Sequence, residues 1–170
     1  MLLNVKVNTL DVNMQTIAAL FFLLSGCGFS RVTGNCDETA GHAALYSNNE
    51  HLAYELLKNC PMDMSTTGEA LHDFAGLIFY GHGKYSSIDE RVNHSLELWC
   101  KAALKGYSTS IFILASHYEQ GDKSVNIKAN RLVSNCLFGL QKNDLEYANP
   151  SDVQACLSFN PDIDPTYECF

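Results

Sequence analysis

The sequence predicts an all-α fold: a short α-solenoid of helix-turn-helix repeats, stapled by disulfides. Three observations predict it. Two segments repeat at an offset of 34 residues. Apolar side chains recur three and four apart within them, as amphipathic helices require. Six cysteines, an even number, remain once an N-terminal one is set aside.

Residues 1–26 come first. From Ile17 to Leu24 every residue is apolar ("IAALFFLL"). That is less than half of the roughly 20 residues a bilayer span needs, and it is the length of a signal-peptide apolar region. Leu24, Ser25, Gly26 and Cys27 follow in an order that resembles the bacterial lipobox, whose cysteine is lipidated and becomes the new first residue. The resemblance implies a lipoprotein signal peptide over 1–26, lipidation at Cys27, and a lipidated N-terminus with a short tether over 27–42. Gly28, standing where an Asp would signal inner-membrane retention, implies the inner leaflet of the outer membrane, facing the periplasm.

Residues 43–140 make the repeat domain. "HLAYELLKNC" (His51–Cys60) keeps the helical column Ala53, Leu56 and Cys60. "EALHDFAGLIFYGHG" (Glu69–Gly83) reads as a helix whose small residues Ala75 and Gly76 admit a close neighbour. Its Gly-His-Gly ends a helix instead of opening one, so it is read as a stop and not as a phosphate loop. "KYSSIDERVN" (Lys84–Asn93) reads as a loop, four residues longer than its counterpart after Gly121. "SLELWCKAALKG" (Ser95–Gly106) and "ANRLVSNCLFGL" (Ala129–Leu140) carry the 34-residue repeat, with Ser95 over Ala129, Leu98 over Leu132 and Ala102 over Cys136. "YSTSIFILASHYEQG" (Tyr107–Gly121) sets Ser110, Leu114 and Tyr118 on one face and stops at Gly121 in a left-handed cap. Trp99, Tyr80, Tyr118, Phe112 and Phe79 fall at repeat positions and are expected in the core. Residues 141–170 hold one helix from about Ser151, capped by Ser151 or Asn149, and then a tail with proline and cysteine.

Ser95, Leu98, Trp99, Lys101, Ala102, Ala103, Gly106, Leu114, Tyr118 and Gly121 together resemble the Sel-one-like repeat, a relative of the tetratricopeptide repeat. Ala115 stands where that family prefers Gly, and the following half-repeat keeps Lys128, Ala129 and Leu132 but loses Lys-Ala-Ala to Asn135, Cys136 and Leu137. The resemblance spans about residues 43–140. It implies stacked repeats with an extended surface for binding proteins. Some Sel-one-like repeat lipoproteins are periplasmic immunity proteins that block phospholipase effectors delivered by type VI secretion. The resemblance therefore implies a protein partner, a lipase or phospholipase toxin, and membrane attachment through lipid. The alternative is a periplasmic scaffold or regulator that binds another envelope protein.

The remaining cysteines are Cys36, Cys60, Cys100, Cys136, Cys156 and Cys169. After export they meet an oxidising compartment, where disulfides persist. Fifteen connectivities are open. Zinc sites use close pairs such as Cys-x-x-Cys; these cysteines have none, so disulfides are expected and no metal. Cys156 and Cys169 would staple the tail.

The net charge of −8 without a basic stripe excludes nucleic acid as a partner class. No nucleophile elbow, phosphate loop or HExxH motif occurs, so no catalytic residue and no cofactor are assigned and the chain is not read as an enzyme. Candidate partner-binding residues are Tyr85, Asp89 and Glu90 in the extra-long loop, Asp122 after the glycine stop, and Asp144, Glu146 and Tyr147 near the tail. A tyrosine exposed beside acids suits an interface hot spot.

Overall fold

A computed structural model of the chain describes residues 35–123, 127–141, 146–163 and 168–170. The signal peptide, Cys27 and Asp144 lie outside these residues. Seven helices follow one another: α1 (Glu38–Tyr46), α2 (Glu50–Leu57), α3 (Gly68–Phe79), α4 (Ile88–Leu104), α5 (Ser108–Gln120), α6 (Arg131–Leu140) and α7 (Pro150–Leu157). Among the described residues the β contacts are two isolated bridges, Tyr107 with Tyr147 and Asp122 with Ile127. The fold is all-α, as expected. No helix among the described residues is long and apolar enough to cross a membrane.

The helices start where short polar side chains can occupy the first free amides. Asp37, Asn49, Thr67, Ser87, Asn130 and Asn149 each accept from an amide in the first turn of α1, α2, α3, α4, α6 and α7. α5 has no such cap. The Ser108 amide donates instead to the Glu146 carbonyl at 3.0 Å. Pro150 sits just inside α7, where its missing N–H costs nothing.

Helices adjacent in sequence pack on one another, and α1 also meets α3 while α7 meets α4. Two apolar clusters result. One gathers Leu57, Leu71, Phe74, Ile78, Leu98 and Trp99; the other gathers Leu104, Ile111, Leu114, Tyr118, Leu137 and Leu157. α4 contributes to both, which is why its second half is buried nearly all round.

All six described cysteines are paired: Cys36–Cys60, Cys100–Cys169 and Cys136–Cys156. The first ties the approach to α1 to the end of α2. The second pins the C-terminus to α4, and the third locks α6 to α7. The Glu38 carboxylate lies beside the sulfurs of Cys36 and Cys60, but the disulfide consumes both thiols. The tail is also held by Tyr118, whose hydroxyl donates to the Cys169 carbonyl and accepts from Asn160 Nδ2 at 3.2 Å.

Several expectations are corrected. Residues 38–42, read as tether, belong to α1. Lys84–Asn93 is not all loop: α4 starts at Ile88 and takes Asp89 and Glu90 into its first turn. Phe79, Tyr80 and Phe112 are not core but are 40%, 80% and 53% exposed. Phe79 and Tyr80 close α3, where the chain turns away, and Phe112 meets Phe138 edge-on at 5.6 Å. Gly76 admits no neighbour, since a Cβ there would meet nothing within 4 Å; the close approach is at Gly41, where a Cβ would lie 2.6 Å from Leu57. Leu132 is 68% exposed where its repeat partner Leu98 is fully buried; α4 packs against α3, α5 and α7, and α6 against α5 and α7. Gly121 stops α5 with φ of 73° but an extended ψ of 151°, which is not the left-handed cap.

Candidate functional site

The most chemically loaded surface crosses α1, α3 and the start of α5. Glu69 and Asp73 are four apart on α3 and therefore share a face. Like charges at that spacing repel unless something lies between them. Here His42 of α1 does: its Nδ1 is 2.6 Å from Asp73 Oδ2 and its Nε2 is 3.2 Å from Glu69 Oε1. Tyr46, one turn further along α1, packs its ring 4.5 Å from that of His42.

The other side of the surface is aromatic. Tyr107 precedes α5, and its ring is 4.9 Å from His72 and 5.4 Å from Tyr147. Tyr147 arrives there because residues 146–148 dock on the α4–α5 turn. Ser108 N donates to Glu146 O, and Ala148 N donates to Gly106 O at 2.7 Å. Gly106 makes that docking possible. Its φ is +86°, and a Cβ there would lie 2.0 Å from the Ala148 carbonyl oxygen.

The electrostatics follow from burial and from the two acids. Burial raises the Asp73 carboxyl above its usual range, against the opposing pull of His42. Burial, then Asp73 and Glu69, push the Tyr107 phenol up to about 12. Tyr147 is raised too, by burial first and then by Glu69. Burial pulls His72 down to about 4, so it is neutral at pH 7 and shares a 2.9 Å hydrogen bond with Ser110 Oγ.

The sequence-based candidates scatter. Tyr147, 42% exposed, joins this surface, and Glu146 is its neighbour. Asp122 lies elsewhere, 3.2 Å from His117 Nδ1 and bridged through its backbone to Ile127. Tyr85, expected exposed, is half-buried and bonded to His94 Nδ1 at 2.8 Å. Asp89 is exposed in the first turn of α4, and Glu90 turns back to accept from Ser86 N and Oγ. His42, Glu69, Asp73 and Tyr107 were not singled out. The like-charged pair four apart on one helix was the available signal.

Chemically the surface suits recognition. Both His42 nitrogens are occupied by carboxylates, so it has none left to activate a hydroxyl. Ser110 touches His72 but is wholly buried, beyond a substrate's reach. Carboxylates beside ring faces suit a basic group on a partner. Comparison of the chain with family models, with curated proteins and with solved structures gives no match.

Proposed function

We propose that this chain is a membrane-anchored periplasmic immunity protein that binds a phospholipase effector of type VI secretion and occludes it. The observation that carries the reading is the surface of Glu69, His42, Tyr107 and Tyr147, with Asp73 buried behind His42, on a chain of net charge −8. Such a surface speeds capture of a basic partner and anchors it by ring contacts. The disulfides joining all six cysteines after Cys27 support life in an oxidising compartment. The helix pairs α2–α3 and α4–α5, followed by α6 as a half-repeat, are read as stacked Sel-one-like repeats of a short α-solenoid, with α1, α3 and α5 offering the binding face.

The test is periplasmic expression of a candidate phospholipase toxin with and without this chain. Survival with the chain, lost on Glu69→Lys and Tyr147→Ala together, supports the proposal. Equal killing with and without the chain sinks it. Survival that ignores both substitutions moves the contact to another surface.

A further inference from the structure

The first turn of α4, beside the loop from α3, holds a cation without an anion. Arg91 is half-buried; its Nε is sealed from solvent and has no hydrogen-bond partner. No carboxylate lies within ion-pair distance of its guanidinium among the described residues, in a chain with 19 acidic side chains. A guanidinium that gives up water without a counter-charge is destabilising, so a missing partner is the economical explanation.

Arg91 lines a solvent-open cavity of about 290 Å³, together with Gly81, Gly83, Tyr85, Ser87 and Ile88. One wall is bare backbone. Gly81 and Gly83 have φ of +109° and +97°, and a Cβ on Gly81 would lie 3.2 Å from Arg91 Nη1. The Gly-His-Gly stretch thus stops α3 and also leaves room for the guanidinium. Two of its three amides are spent: Gly81 N donates to Ile78 O and His82 N to Leu77 O.

The free donors lie a few residues on. α4 is 17 residues long and points its positive end at this loop. Ser87 Oγ accepts from Glu90 N, and Ser87 O accepts from Arg91 N. The Ile88 and Asp89 amides carry no hydrogen bond among the described residues. Of the nearby acids, Glu90 is engaged by Ser86, and Asp89 is exposed. The Tyr85 hydroxyl is committed to His94.

We propose that this cavity is a site for a phosphate group, with the Arg91 guanidinium forked across two oxygens and the α4 amides on a third. A guanidinium and two first-turn amides supply donors for a group with three acceptor oxygens, more than a carboxylate would use. The group comes either as a free phosphate monoester or as a lipid headgroup that ends in one, and both present the same three oxygens. The site is independent of the α1–α3–α5 surface and of the immunity reading.

The test titrates inorganic phosphate into the 15N-labelled Cys27→Ala chain at constant ionic strength, with chloride as reference. The amides of Ile88 and Asp89 should shift and saturate in the millimolar range. Arg91→Gln should weaken binding about tenfold or more, as expected for a charge-assisted contact. Its urea midpoint should equal or exceed the parent's, because Arg91 makes no hydrogen bond through its side chain and its sealed, unpartnered Nε is unfavourable. Vesicles of phosphatidic acid, whose headgroup is a phosphate monoester, against phosphatidylglycerol, then separate the sources. Cosedimentation lost on Arg91→Gln assigns a headgroup; saturable phosphate shifts without cosedimentation assign a soluble ester. A linear drift shared with chloride, or equal affinity in Arg91→Gln, overturns the proposal.

Discussion

Gly106→Ala should be among the most damaging single-methyl additions in this chain. The glycine has φ of +86°, where an L side chain is strained by about 1–3 kcal/mol. The new methyl would also stand 2.0 Å from the Ala148 carbonyl oxygen and 3.0 Å from its carbon, both backbone atoms. Ordinary contact requires the 146–148 segment to retreat by more than about 1 Å. That retreat breaks the bonds from Ala148 N to Gly106 O and from Ser108 N to Glu146 O. Each contributes about 0.5–1.5 kcal/mol. The expected loss is about 2–6 kcal/mol. Urea unfolding followed through Trp99, the single tryptophan, measures it. With a slope of about 2 kcal/mol per molar, the midpoint falls by about 1–3 M. Gly76→Ala is the control: it adds the same methyl inside α3 with nothing within 4 Å, and should stabilise by about 0.5–1 kcal/mol. A Gly106→Ala protein with the parent's midpoint would refute the docking account of Tyr147.

Three further outcomes follow from the same geometry. His72 is held near 4 in the folded state against an ordinary 6.5, so between those pH values the unfolded chain takes up the proton first and stability falls with pH, by at most about 3 kcal/mol and less where solvent screens it. Urea midpoints from pH 7 to 4 should show that loss, and His72→Gln should flatten it; the raised Asp73 works the other way, so an unchanged slope in His72→Gln assigns the loss elsewhere. Replacing Cys100 and Cys169, whose separation is 69 residues, should cost about 4 kcal/mol by loop entropy, against about 3 for Cys136 and Cys156 at 20 residues, and denaturant midpoints in the reverse order would contradict that origin. Cys27→Ala should release the chain from membranes into the soluble fraction, and continued cosedimentation would remove the lipobox reading.

The helices were legible because their signals are local. Apolar spacing marks α3 to α6, Asn149 caps α7, and positive-φ glycines stop α3 and α5. The start of α4 was missed although a local signal existed: Ser87 with Glu90 three residues on is the spacing of a capping box, and Ser87 does cap the Glu90 amide. The exposed Phe79, Tyr80 and Phe112 were misread because an aromatic at a repeat position is buried only when a neighbouring helix covers it. The candidate surface could not be read along the chain. His42 meets Asp73 across 31 residues and His72 meets Ser110 across 38, and such pairs follow from packing, not from spacing.

The C-terminal segment packs into the body of the fold. Residues 146–148 supply the carbonyl that α5 lacks as a cap and deliver Tyr147 to the acids of α3. α7 buries Val153 and Leu157 against α4 and α6, and Cys169 closes on Cys100. An isolated repeat pair buries little apolar area, and small domains depend on such staples. The same segment thus completes the core and assembles the surface, so any change that loosens it weakens stability and recognition together. That coupling makes Gly106, which touches no acid and no ring of the site, as informative about the surface as Glu69 or Tyr147.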